Sequence, residues 1–255
     1  MNITAFRNIL KKYDKIYAPD EIDRMIADVR PNFRIFKTWK IADGVVSKIK
    51  YFDVPAAFDI ETSSFYYNGE KCACMYEWTL GIFGAVMIGR TWDEFISVMK
   101  KIVEILDLHR EKRVVIYVHN LAYEFQFIRK WFEWETIFAI DTRKPIYALT
   151  TSGIEFRCSY LLTGYNLETV AKNLKTIQLR KRVGDLDYSL IRHSRTPLSD
   201  LEIGYCVDDV KIVMADIAER IVASGNITKI PLTKTGYVRQ YCRGRCFGEY
   251  DGTKA

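Results

Sequence analysis

The chain predicts an α/β or α+β domain with a central mixed β-sheet flanked by helices. Strand-like segments come first, and further on they alternate with segments whose apolar residues recur at three and four, the helical spacing. A length of 255 residues, 49% of them hydrophobic and 14% aromatic, is enough to fill one large core.

Taken in order, residues 1–50 mix basic and apolar positions. Glu21–Val29 reads as a short helix with Asp20 as its N-cap. Phe33–Ile41 alternates as a strand does, and Asp43-Gly44 marks a turn. In Val54–Thr62 the apolar run Val54, Ala56, Ala57, Phe58 reads as a buried strand, with Asp59 and Glu61 at its end. Glu77–Ile88 is a second strand. Thr91–Leu108 is a helix through Phe95, Ile96, Met99, Ile102, Val103 and Leu106. Val114–Val118 is a short β-branched strand ending at His119-Asn120, and Ala122–Trp134 has helical spacing. Strands follow at Ile137–Asp141, Ile146–Thr150 and Glu155–Ser159, then a short helix at Leu167–Leu174. Ser199–Ala223 is the strongest helical pattern in the chain, with Asp208 and Asp216 read as surface charges. The tail is basic and weakly periodic. The sequence has no repeats and no low-complexity segment.

The composition excludes several classes. No apolar run reaches the length of a membrane span, and the first residues lack an apolar stretch with a small-residue cleavage site. The expectation is a soluble, cytoplasmic protein with no membrane partner and reduced thiols. The six cysteines (72, 74, 158, 206, 242, 246) lack zinc-finger spacing. A net charge of +6 permits a polyanionic partner without requiring one.

The chemistry starts at Asp59 and Glu61. Residues i and i+2 of a strand share a face, so both carboxylates project together from an apolar base. Burying two such charges is costly unless a cation neutralises them, and oxygen ligands suit Mg²⁺ or Mn²⁺. Tyr117–Ile128 (YVHNLAYEFQFI) adds Glu124 one turn beyond a strand end, with Asn120 placed to cap the helix. Tyr205 and Asp209 are i and i+4 on the long helix and share a face; a phenol beside a carboxylate can orient a water. Lys181–Tyr188 (KRVGDLDY) places a basic run before alternating Asp185 and Asp187.

In this order, Asp59-x-Glu61, Asn120-x₃-Glu124 and Tyr205-x₃-Asp209 resemble the three exonuclease motifs of family B DNA polymerases. HNLAYEF and GDLDY are similar to the protein-primed branch from bacteriophages. The resemblance covers about residues 50–225. It implies a ribonuclease H-like fold and a 3′–5′ exonuclease that proofreads during DNA replication by two-metal hydrolysis. Two Mg²⁺ or Mn²⁺ ions would be held by Asp59, Glu61, Glu124 and Asp209. Tyr205 would position the attacking water, and Lys181 or Arg182 would stabilise charge on the phosphate. Thr62, His119, Asn120, Tyr123, Ser159 and Tyr160 would hold a single-stranded DNA 3′ end, with Tyr117 and Phe65 as further candidates.

The sequence departs from that pattern in three places. The second-motif acid is Glu124 where the family has Asp. Val183 stands where the phage branch has its lysine, and the polymerase palm motifs are missing. The organisation expected is therefore an N-terminal extension over 1–50, an exonuclease domain over 51–225 and a basic tail over 226–255 at the start of an absent palm. A separate polymerase subunit or a terminal protein would be a natural partner. The rival readings are a catalytically weak DNA-binding module of a split polymerase and a related nuclease acting on RNA.

Overall fold

The computed structural model describes residues 1–11, 15–42, 45–141, 144–182, 187 and 190–247, with the backbone alone for 40–42, 45 and 247. In chain order the elements are α1 (Ile3–Lys11), β1 (Ile16–Tyr17), α2 (Ile22–Val29), β2 (Ile35–Ala42), β3 (Val45–Phe52), β4 (Ala56–Tyr67), β5 (Glu70–Ile82), β6 (Ala85–Gly89) and α3 (Trp92–Leu106). They continue with β7 (Lys112–Val118), α4 (Leu121–Ile128), β8 (Trp134–Ala139), β9 (Pro145–Thr150), β10 (Ile154–Cys158), α5 (Ser159–Thr163), α6 (Leu167–Asn173), α7 (Asp200–Ser224) and α8 (Lys234–Phe247).

The architecture is the mixed α/β one expected: a central sheet with helices on both faces. The main path runs β1-β6-β5-β4-β7-β10-β9-β8, and the β2–β3 hairpin joins it through β3 and β7. The centre is parallel (β4 with β7, β7 with β10), and the flanks are antiparallel except at the edge, where the short β1 runs parallel to β6. β7, with Val114 through Val118 all buried, is the apolar spine expected of a central parallel strand.

Alternation along β4 sends Phe58 to one face, where its ring stacks on Phe95 of α3 at 4.6 Å. Asp59 faces the other side, toward α7. That helix approaches closely because β5 has no side chain at Gly81: a Cβ there would lie 2.4 Å from Met214 and 2.5 Å from Val210. Asp209 directly precedes Val210, so this close approach sets the depth of the α7 carboxylate. Ser199 starts α7 with a capping box to Glu202.

The differences from the expected elements have local causes. β4 does not end at Thr62 but continues to Tyr67 and turns at Asn68-Gly69, both left-handed (φ 51° and 81°), into β5. Asp59 and Glu61 therefore lie within a strand rather than at its end. The single strand expected over Glu77–Ile88 divides at Phe83-Gly84, where Phe83 is itself left-handed. Its buried ring, edge-on to Phe6 at 5.5 Å, holds that turn. Asp20 falls in a 3₁₀ turn at Pro19–Glu21, and α2 starts only at Ile22 without a side-chain cap. α4 stops at Ile128 rather than Trp134, because Trp134 pairs with Thr150 in the sheet and its Nε1 donates to the Arg129 carbonyl. The tail forms α8, whose Val238 and Tyr241 are exposed; a helix with little buried face leaves little periodicity to read. The Asp43-Gly44 turn lies outside the described residues.

Among the described residues no helix is long and apolar enough to cross a membrane, and the cysteines are free thiols.

Candidate metal and nucleic-acid site

Three elements deliver four carboxylates to one place. β4 supplies Asp59 and Glu61, and α7 supplies Asp209. One oxygen from each lies within 4.8 Å of the other two. Glu124 comes from α4, which starts just past the end of β7. It lines a cavity of about 190 Å³ with Asp59, His119, Asn120, Lys181 and Asp209. Glu124 is 4% exposed, and its Oε2 is buried without a hydrogen-bond partner. An orphaned carboxylate oxygen on a residue that shares a cavity with Asp59 and Asp209, with Glu61 grouped beside those two, is the donor set a divalent cation with oxygen ligands fits.

The electrostatics agree. Burial, then the neighbouring charges of Glu124, Glu61 and Asp209, push the Asp59 carboxyl well above the usual carboxylate range. Burial first and Glu77 next push Glu61 up to about 8. Burial pushes Glu124 up to about 8. Asp209 is pushed up to about 6 by burial, with Lys181 opposing.

Lys181 brings its ammonium to both Asp209 oxygens, at 2.5 and 2.6 Å, and 4.0 Å over the Tyr205 ring. Arg182 points elsewhere, its Nε donating to Asp208 at 2.7 Å. Of the two basic residues, Lys181 is the one that lines the cavity with Asp59, Glu124 and Asp209. Asp208 is 6% exposed, and Asp216 is partly buried beside Arg220, so neither is the free surface charge expected.

The segment carrying Lys181 runs antiparallel along α7 and is tied to it repeatedly. Lys175 and Thr176 donate backbone N–H groups to Glu219, Lys181 meets Asp209, Arg182 meets Asp208, and Arg192 meets Glu202. Arg192 also ties the segment to β4, its N–H donating to the Ser63 hydroxyl at 2.7 Å. Val183, Gly184, Asp185, Leu186 and Tyr188 lie outside the described residues.

Of the expected DNA-contacting residues, His119 and Asn120 line this cavity. Tyr123 is 41% exposed, and its hydroxyl shares a hydrogen bond with Thr62 Oγ1. Asn120 sits at the α4 N-cap position, exposed and without a side-chain cap bond. His119 Nδ1 lies 3.0 Å from the buried Ser159 hydroxyl, and the exposed Tyr160 ring stands edge-on to the imidazole at 5.9 Å. Burial first and Lys181 next push His119 down to about 4, so the imidazole is neutral near pH 7. Tyr117 is 1% exposed, which removes it as a contact residue; Phe65 is half-buried.

Two features escaped the sequence reading. Glu77 pairs directly across from Glu61, is 1% exposed, and accepts from the Thr79 hydroxyl; burial pushes it up to about 7. A carboxylate between Tyr76 and Trp78 was its only signal. The second is a β-bulge between Glu61 and Thr62, where β5 carries the extra residue Tyr76. A bulge bends the strand beside a site and re-aims its side chains. Nothing in the residue pattern marks it.

No protein-family model and no curated protein sequence matches the chain. Among solved structures it is similar to Phi29 DNA polymerase in its ternary complex with primer–template DNA and incoming nucleotide. The TM-score is 0.57 and the identity 15%, over 76% of this chain and 35% of the polymerase. The same polymerase complexed with single-stranded DNA gives 0.56 at 15% identity, over 76% and 36%. Its post-translocation complex with primer–template DNA gives 0.53 at 17%, over 70% and 32%. The likeness is one of fold, and the chain spans about a third of the length of these polymerase chains.

Proposed function

We propose that the chain is a metal-dependent 3′–5′ exonuclease acting on single-stranded DNA ends. It would be the proofreading part of a polymerase of the protein-primed family B kind, with residues 51–225 as the exonuclease domain, 1–50 as an extension on it and 226–255 leading toward a palm. One observation carries this reading: carboxylates from three elements, Asp59, Glu124 and Asp209, line one small cavity with Glu61 grouped beside two of them, and Lys181 pairs with Asp209 there.

Asp59, Glu61 and Asp209, with Glu124, would hold a pair of Mg²⁺ or Mn²⁺ ions, which when bound supply Lewis acidity and an activated water. Tyr205 would orient the attacking water through its hydroxyl. Lys181 leaves Asp209 for the phosphate and stabilises charge developing there. Tyr123, Tyr160 and the neutral His119 offer ring faces and edges to unstacked bases, and Thr62 and Asn120 offer polar contacts to the backbone.

A second reading, a catalytically weak DNA-binding module, has one observation in its favour. Lys181 already takes both oxygens of Asp209, and a permanent pair there would remove one ligand.

Digestion of a 5′-labelled single-stranded oligonucleotide, with Mg²⁺ or Mn²⁺ and with EDTA, separates the two. The exonuclease reading predicts a metal-dependent ladder from the 3′ end that the double variant Asp59→Ala, Glu61→Ala lacks. Binding without a ladder in the unaltered chain sinks it in favour of the module.

A further inference from the structure

A second surface, remote from the carboxylates, joins positive charge to an exposed aromatic ring. The β2–β3 hairpin touches the sheet through the start of β7, with Lys50 opposite Lys112 and Tyr51 opposite Arg113. Its two faces differ sharply. Phe36, Thr38, Ser47, Ile49 and Tyr51 are buried or half-buried, whereas Ile35, Lys37, Trp39, Val46, Lys48 and Lys50 are all exposed.

Two features of the outer face are unfavourable for a sheet that meets only water. Trp39 is 65% exposed, a large apolar area whose ring has the Lys48 ammonium at 5.5 Å. Lys37 stands directly opposite Lys50 in the register, a like-charge cross-strand pair that destabilises a hairpin. Neither strand contains a carboxylate to offset it, and residues 33–52 hold Arg34, Lys37, Lys40, Lys48 and Lys50 against Asp43 alone. Lysines on an edge strand also deter unwanted strand pairing. That role would explain Lys37 on β2, but not Lys48 and Lys50 on the inner strand, nor Trp39.

Phosphates relieve the repulsion and a base covers the indole, which is the pairing of basic groove and stacking ring that single strands use. We propose that this face is a second contact surface for single-stranded DNA, with Lys37, Lys48 and Lys50 taking phosphates and Trp39 stacking on a base. The assignment of DNA as the polyanion rests on the exonuclease reading; the charge and aromatic pattern do not. β7 connects the two places. Lys112 lies beside the hairpin and Val118 leads into His119, a span of about 20 Å at roughly 3.3 Å per residue. A strand of a few nucleotides in the cleft therefore stops short of the hairpin, and a strand of a few dozen can reach both.

The test is fluorescence anisotropy in EDTA, which prevents hydrolysis, with labelled oligothymidylates of about 5 and about 30 nucleotides. The variants are the triple Lys37→Gln, Lys48→Gln, Lys50→Gln and the single Trp39→Ala. On the long strand the triple variant is expected to bind about 10–100-fold more weakly, with a salt slope shallower by about 2, as removal of three phosphate contacts at roughly 0.7 each requires. Trp39→Ala is expected to lose about 5–100-fold. On the short strand both should bind as the unaltered protein does. Unchanged affinity and slope on the long strand overturn the proposal, and so does an equal loss on the short one. Should the triple variant unfold, Lys48→Gln alone must still shift long-strand binding by several-fold. Hairpin-dependent binding without any metal-dependent cleavage would sink the exonuclease reading and leave this surface standing.

Discussion

Two buried charge clusters lie on either side of β7, and they are built in opposite ways. On β10, Glu155 is 3% exposed but meets Arg157 at 2.7 Å, the Tyr51 hydroxyl at 2.9 Å and Arg113 at 3.6 Å. Burial raises its carboxyl, yet Arg157, Tyr51 and Arg113 more than reverse this and hold it below the usual range. Around the cavity, Asp59, Glu61, Glu124 and Asp209 are raised, with Lys181 paired to one of them. A neutralised cluster holds a fold together; a cluster left short of positive charge is kept for something that brings it.

The comparison breaks most visibly under mutation. Asp59→Ala with Glu61→Ala is expected to lower metal-dependent cleavage by at least about 10³-fold, read by single-turnover digestion. At the same time it should raise the metal-free melting temperature at pH 8 by about 2–4 °C, since it removes repelling buried charge. Glu155→Gln should do the reverse. Leaving Arg157 and Arg113 without their carboxylate costs about 3–5 kcal/mol in a denaturant titration, with cleavage by the folded fraction unchanged.

The pH dependence sharpens the contrast. Glu61 and Glu124 hold protons in the folded chain up to about pH 8 but release them near their ordinary values when unfolded. Between roughly pH 4.5 and 8 the folded state thus binds more protons, and the stability from this source falls as pH rises. Thermal melts of the metal-free protein should show that fall, and added Mg²⁺ should recover most at the alkaline end. Glu155, with its lowered carboxyl, contributes in the other sense, and its stabilisation fades on acidification. The smallest effect concerns the basic pair. Lys181→Met should slow cleavage by about 10–100-fold, whereas Arg182→Met, which removes the partner of Asp208, should change it by less than about threefold.

How much of this the sequence revealed depends on the range of the forces involved. The central strand Val114–Val118, the long helix from Ser199 and the strand carrying Asp59 were legible because an apolar period is a local signal. The motif acids were legible as types at fixed spacing. Glu77 was not, since its partner Glu61 is set by the β4–β5 register and the register depends on a bulge. Nor could spacing choose between Lys181 and Arg182. Adjacent residues on an extended segment point apart, and which one lines the cavity is decided by the ties of that segment to Glu219, Ser63 and Glu202 along its length. The reading of Asp208 as a surface charge failed for the same reason.

The most direct measurement is a Mn²⁺ titration followed by loss of the free-ion EPR signal, on the unaltered chain, on Asp59→Ala, Glu61→Ala, and on Glu155→Gln at a temperature where it is folded. A cluster kept short of positive charge predicts saturable Mn²⁺ binding that the double variant loses and Glu155→Gln retains. Equal binding by the double variant, or none by the unaltered chain, would contradict it.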